Sequence, residues 1–125
     1  MSNNSVFART DEIVIRFIIK NENNIKKIEF LEKDSEEKDF FEMVFKYPNW
    51  HDELYIKDKS MEIQDGIVSI NAVLTRYRRF NKLLIRWNLK DENNNEIPMN
   101  EESFQKLDPD IIDKIIDKLD SFLSS

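Results

Sequence analysis

The feature that most constrains the fold is a broad apolar helical face near the end of the chain. Over residues 109 to 123, apolar side chains recur at helical spacing and charged residues lie largely opposite them. The apolar residues are Ile111, Ile112, Ile115, Ile116, Leu119, Phe122 and Leu123. Such a helix must bury this face against another element. Asp108 is suited to cap it, and Pro109 fits its first position, where the missing N–H costs nothing.

A second apolar stripe predicts a long helix over residues 71 to 89. Its members are Val73, Tyr77, Phe80, Leu84 and Trp87, which follow one another at the three- and four-residue spacing of one helix face. Further along, Asn100 is predicted to cap a short helix, and Met99 and Phe104 occupy the positions of a hydrophobic staple. The C-terminal half is therefore predicted to be helical.

The first half of the chain carries strand signals. Residues 11 to 20 and 25 to 32 are rich in β-branched and aromatic residues, and the asparagines between them favour a hairpin turn. Ser35 and the apolar spacing that follows predict a helix over about 36 to 46, which Pro48 ends. A turn at Gln64 to Gly66 separates two short apolar stretches and indicates a second hairpin.

These elements predict an α+β fold with a small antiparallel sheet near the N-terminus and a helical C-terminal half. The length of 125 residues fits a single domain over residues 1 to 125, strand-rich over 1 to 70 and helical over 71 to 123. With 40% hydrophobic residues the chain is too apolar to be disordered. We found no leader or membrane span in the sequence and expect a cytoplasmic protein.

Composition removes several kinds of chemistry. The chain has no cysteine, which excludes thiol catalysis, thiolate zinc sites and disulfides. Its one glycine, Gly66, excludes a glycine-rich phosphate cradle. The single histidine, His51, is expected to be an ordinary loop residue, and the serines lack the context of a nucleophile. We therefore predict no enzymatic activity and no cofactor.

The charge is divided unevenly along the chain. Residues 76 to 90 hold six basic residues and no acidic one, whereas residues 91 to 125 hold ten acidic residues and three lysines. Arginines interleaved with aromatic residues suggest nucleic-acid binding. The aromatic residues lie on the apolar seam, however, and an acidic protein is repelled by a polyanion, so we expect no nucleic-acid partner.

Residues 91 to 102 can be interpreted either as a calcium loop or as a turn. Asp91, Asn93, Asn95 and Glu102 match positions 1, 3, 5 and 12 of an EF-hand loop. Glu96, however, stands where that loop requires glycine for its sharp bend. The sequence therefore favours a turn, and we predict no metal site.

The stretch LLIRWNLKDENNNEIPMNEESFQKLDPDIIDKII, residues 83 to 116, resembles the ending of tail assembly chaperones of long-tailed bacteriophages. The shared order is a helix ending in Trp-Asn-Leu, a polar acidic turn, Ile97-Pro98, a capped short helix ending in leucine, and a last amphipathic helix. The resemblance lies mainly in residues 71 to 118. The family's turn often has glycine near Asn94 or Asn95, where this chain has asparagine.

The resemblance implies a non-catalytic protein of the host cell cytoplasm that binds the helical tape measure protein during tail assembly. Tail tube subunits are further expected partners, and self-association is compatible with this role. The residues predicted to contact a partner are Arg78, Arg79, Phe104 and Ile116. The alternative is a small virion structural or interaction protein, such as a tail or neck component.

Overall fold

The computed structural model describes residues 5 to 124 and has an α+β fold, as the sequence predicts. The elements are β1 (Glu12–Glu22), β2 (Ile25–Phe30), β3 (Phe41–Lys46), α1 (Trp50–Lys59), β4 (Met61–Gln64), β5 (Ile67–Ile70), α2 (Ala72–Leu83), β6 (Leu84–Trp87), α3 (Glu101–Gln105) and α4 (Pro109–Leu123). Within the described part of the chain, no helix has the length and apolar character needed to cross a membrane.

The chain forms two compact units. Unit 1 comprises the described residues up to Glu12 and Lys46–Leu84, and unit 2 comprises Ile13–Phe45 and the chain from Ile85 onward. Unit 1 carries 8 basic and 7 acidic residues, a net charge of +1, whereas unit 2 carries 11 basic and 18 acidic residues, a net charge of −7. The negative net charge of the chain therefore comes from unit 2.

Unit 2 is built on a four-stranded sheet with the strand order β2-β1-β3-β6. Alternate residues of β1 are buried: Ile13, Ile15 and Phe17 are each at most 2% exposed. This alternation is that of a strand with one face in the core. Asn23 and Asn24 both have positive φ and form the two-residue turn to β2, so the predicted first hairpin is confirmed.

The predicted helix over residues 36 to 46 is wrong, because residues 41 to 46 form strand β3. Met43, Val44 and Phe45 are consecutive and all are at most 1% exposed. A strand buried on both faces has a continuous apolar run, which also satisfies the spacing of a helix face. Pairing with β1 and β6 decides between the two, and that pairing is not visible in the local sequence.

The predicted helix over residues 71 to 89 is correct only as far as Leu83. Residues 84 to 87 form strand β6 beside β3, although Leu84 and Trp87 continue the helical spacing. Asn88 fixes the end of this pairing: its N–H donates to the Glu42 carbonyl at 3.1 Å, and its side-chain oxygen accepts from the Glu42 N–H. Pairing with β3 therefore overrides the local helical pattern.

The turn prediction for residues 91 to 95 is confirmed. One carboxylate oxygen of Asp91 accepts hydrogen bonds from the N–H groups of Asn93 and Asn95, each at 2.9 Å. The backbones of Lys90 and Glu96 form an isolated antiparallel β-bridge across the turn. Just outside the turn, the Trp87 indole N–H donates to the Ile97 carbonyl at 2.7 Å, and its ring meets Phe104 edge-on. The oxygen that would be the first calcium ligand therefore serves as a turn cap.

Asn94 has a φ of +63°, the left-handed conformation that glycine adopts without steric cost. We expect Asn94→Ala to lower the free energy of unfolding by about 1 kcal/mol, because alanine lacks the local hydrogen bonding that makes this conformation tolerable for asparagine. Asn94→Gly is the matched control and should leave stability unchanged or slightly higher. Urea denaturation of both variants measures the difference, and equal losses would contradict this account.

The C-terminal helices begin where the sequence predicts. Asn100 accepts the Ser103 N–H at 2.9 Å and caps α3, and Asp108 accepts the Asp110 N–H at 2.9 Å and caps α4, with Pro109 in its first turn. The buried residues of α4 are Ile111, Ile112, Ile115, Ile116 and Leu119. These signals are local, which is why sequence alone identifies them.

Candidate partner-binding surface

The second predicted hairpin is present as a two-stranded ribbon of β4 and β5 in unit 1. Its turn, Asp65-Gly66, has positive φ at both residues, as the Asp-Gly dipeptide indicates. The register pairs Met61 with Ile70 and Ile63 with Val68. Directly opposed residues of an antiparallel pair share a face, so these four side chains form one apolar face. We call these four residues the ribbon face.

The ribbon face is exposed. Its four side chains are between 48% and 75% exposed, and Ile63 is the most exposed. The opposite face of the ribbon carries Glu62, Gln64 and Ser69 together with one further isoleucine. The ribbon is thus amphipathic, yet its apolar face lies outside the core. Contiguous exposed apolar side chains of this kind mark interaction sites in soluble proteins.

Two residues tie the base of the ribbon to the helices on either side of it. The Asn71 N–H donates to the Ser60 carbonyl at 2.9 Å, its side-chain amide donates to Glu62 at 2.8 Å, and its side-chain oxygen caps α2 through the Leu74 N–H at 3.0 Å. Ser60 is fully buried and donates to the Ile56 carbonyl at 2.7 Å. The base of the ribbon is therefore fixed although its apolar face is not covered.

Helix α1 was missed at the sequence level because its apolar residues form no clear stripe. Its signal is a capping box, in which Asn49 accepts the Asp52 N–H at 2.8 Å and Asp52 accepts the Asn49 N–H at 3.1 Å. Lys46 pairs with Asp52 at 2.8 Å. Burial by itself would raise the pKa of Asp52, but the hydrogen bonds from Lys46 and Asn49 outweigh it and lower this pKa below its ordinary value.

We expect Asp52→Asn to destabilise the protein by about 1–3 kcal/mol at neutral pH. The new amide oxygen can still accept the Asn49 N–H of the capping box, but the amide cannot form an ion pair with Lys46. A lowered pKa in the folded state stabilises the fold above the ordinary carboxyl pKa of about 4, and this stabilisation is lost as pH falls through the folded-state value. Wild type should therefore lose stability towards acid more steeply than the variant. Urea midpoints between neutral pH and acid measure this, with Asp58→Asn, an exposed residue of the same helix, as control.

The ribbon face belongs to a longer apolar stretch of unit 1. Ten exposed large apolar side chains lie between residues 50 and 77: Trp50, Leu54, Tyr55, Met61, Ile63, Ile67, Val68, Ile70, Val73 and Tyr77. In the same unit, Arg79 lies 3.6 Å from Glu53, and the Lys82 ammonium lies 4.5 Å from the centre of the Tyr55 ring. Both cations are therefore already engaged within unit 1, Arg79 by a carboxylate and Lys82 by an aromatic ring.

The four residues predicted to contact a partner have different environments. Arg78 is exposed on α2, and Arg79 on the same helix is half-buried in its pair with Glu53. Phe104 is half-buried against Trp87 in unit 2. Ile116 is only 1% exposed, so it is a core residue and offers no surface to a partner in this structure.

The sequence predicts the second hairpin but not the exposure of its apolar face. The signal was available, because the Asp-Gly turn fixes which residues of β4 and β5 share a face. Exposure of that face depends on packing and could not be predicted from the pattern.

His51, predicted as a loop residue, lies instead in the first turn of α1 and is exposed. Among residues 5 to 124, no group of three or more His, Asp or Glu side chains is placed to hold a metal ion. Comparison of the chain with protein-family models, curated proteins and solved structures found no match.

Proposed function

We propose that the protein is a chaperone-like binding protein that uses the ribbon face to hold an apolar helical segment of a protein partner. The observation that carries the proposal is the exposure of four apolar side chains on one face of a ribbon whose base is fixed. Covering an amphipathic helix in this way removes its apolar surface from water and keeps it soluble. Binding of this kind requires no catalytic group, metal or cofactor.

The partner class follows from chemistry as well as from the resemblance to tail assembly chaperones. A ribbon face without charges accepts the apolar side chains of an amphipathic helix. We propose the tape measure protein as this partner, with tail tube subunits as further partners, and the host cell cytoplasm as the place of action.

Nucleic acid is not the partner that the aromatic side chains favour. Of the three aromatic residues in the basic segment, Tyr77 is 39% exposed, but Phe80 is 3% exposed and the Trp87 ring packs against Phe104. One exposed ring offers little for stacking, whereas proteins that bind single strands present several rings to successive bases.

Co-expression tests the proposal. The chain is produced together with the product of the longest neighbouring gene, expected to encode a helix-rich protein that is insoluble alone. We expect that protein to become soluble and to co-purify with the chain. A partner that stays insoluble, or that is soluble but does not bind, would contradict the proposal.

The net charge of −7 on unit 2 favours a second candidate function, a virion structural component that docks through an acidic surface on a basic partner. Purified particles distinguish the two functions. An assembly chaperone is absent from finished particles, whereas a tail or neck component is retained in them.

A further inference from the structure

Unit 2 contains a cavity of about 590 Å³ between the sheet, the segment from Leu89 to Ile97 and helix α4. Its inner wall is apolar: Phe17, Met43, Leu89, Ile111, Ile112 and Ile115 line it, and each is at most 9% exposed. A space of that size holds about 20 water molecules at liquid density, and such a wall offers them few hydrogen bonds. Replacing this water with an apolar group is therefore favourable.

The cavity is suited to an aromatic side chain. Phe17 and Phe41 both line it, with their ring centres 5.7 Å apart and their planes tilted by 48°. A third ring can pack against such a pair in an edge-to-face arrangement. Met43 is also in the wall, and its thioether makes favourable contacts with aromatic rings.

The mouth of the cavity is slightly acidic. Asp91, Glu92 and Asp108 line it together with Lys26 and Lys90, and Lys26 lies 3.8 Å from Asp108. This mouth belongs to a unit with a net charge of −7. An occupant that brings an apolar side chain without a carboxylate beside it therefore suits the site.

The chain itself carries a segment with these properties. Val6 is 94% and Phe7 is 85% exposed, and both lie in an irregular part of unit 1 before β1. The base of this segment is held within unit 1, because Arg9 pairs with Asp11 at 2.6 Å and stacks on the Tyr47 ring at 4.2 Å. No acidic residue lies between Ser5 and Thr10.

We propose that Phe7 and Val6 of a second copy insert into this cavity. The contact joins the unit with a net charge of +1 in one copy to the unit with a net charge of −7 in the other. It is heterologous, because different surfaces of the two copies meet, and the pair keeps one free segment and one free cavity for further copies. This inference is independent of the ribbon face and of its partner.

Sedimentation velocity over a concentration series tests the self-association. Two inserted side chains make a small interface, so we expect weak association at about 100 µM or above. Phe7→Ala should weaken it at least tenfold while leaving the unfolding midpoint unchanged, because Phe7 is exposed in the single copy. A wild type that stays monomeric up to about 1 mM, or a variant that associates as wild type does, would overturn the proposal.

The absence of native cysteine allows the contact to be trapped with introduced thiols. A chain with Ala8→Cys, which keeps Val6 and Phe7, is mixed with a chain with Asn93→Cys, at the mouth of the cavity, and oxidised. We expect a disulfide-linked heterodimer in higher yield than with Lys33→Cys, an exposed control in the same unit.

The thiol experiment also distinguishes whether the segment in the cavity comes from a second copy or from the same chain. Equal yields with the cavity and control positions would overturn the proposal. So would a chain carrying both Ala8→Cys and Asn93→Cys that closes its disulfide only within itself at every concentration, because the occupant would then be the chain's own segment.

Discussion

Ile63→Asp is expected to abolish co-purification of the helical partner. Ile63 is the most exposed side chain of the ribbon face, and a partner helix lying on that face would bury the new carboxylate without a counter-charge. The cost expected for a central interface residue is about 2–4 kcal/mol, which corresponds to about a 30- to 700-fold weaker complex. Pull-down after co-expression detects the loss, and titration with the purified partner measures it.

Ser69→Asp is the matched control for this variant. Ser69 lies in the same ribbon and is exposed, but it faces the other side and pairs with Glu62. It adds the same charge one residue pair nearer the base of the ribbon, on the opposite face, so it should leave partner binding close to wild type. Equal losses in both variants would indicate an effect of charge alone, and binding by Ile63→Asp at wild-type affinity would exclude the ribbon face as the site.

Ile116→Ala is expected to lower the free energy of unfolding by about 2–5 kcal/mol, with a fall of about 10 °C in Tm. The side chain is 1% exposed on the buried face of α4, so its truncation leaves a space that neighbouring groups cannot fill. Lys114→Ala on the exposed side of the same helix should change stability by no more than about 0.5 kcal/mol.

The Ile116 variant also separates two roles for this residue. A core residue changes stability when truncated and changes binding only in proportion to the folded fraction. A direct partner contact would lose binding at nearly unchanged stability. The burial of Ile116 favours the first result, and thermal unfolding combined with partner titration at a temperature where both proteins are folded distinguishes them.

Elements with strong local signals were predictable from the sequence. The caps Asn100 and Asp108, Pro109 and the Asp65-Gly66 turn act within a few residues, so each leaves its mark in the sequence beside the element it begins or ends. The first hairpin is likewise marked by a local signal, the two asparagines of its turn, Asn23 and Asn24. Fold class could therefore be inferred correctly even though individual elements were misassigned.

The errors lie where distant pairing decides the structure. Strands β3 and β6 were both predicted as helix, and they are neighbours in the sheet although about 40 residues separate them in sequence. The spacing of their apolar residues is compatible with both a helix and a strand. Only pairing with a neighbouring strand determines which of the two forms. The exposure of the ribbon face and the cavity in unit 2 could not be predicted from the sequence for the same reason. Both depend on which elements pack nearby and not on local residue order.

The separation of β3 and β6 in sequence also bears on the order of folding. During synthesis the sheet of unit 2 lacks its last strand until α1, the ribbon and α2 have all been made, because they lie between the two strands. Closing such a long loop is entropically costly, and compaction of the intervening segment shortens it. We therefore expect unit 1 to gain structure first, so that the nascent chain presents the ribbon face to its surroundings before the sheet of unit 2 is complete.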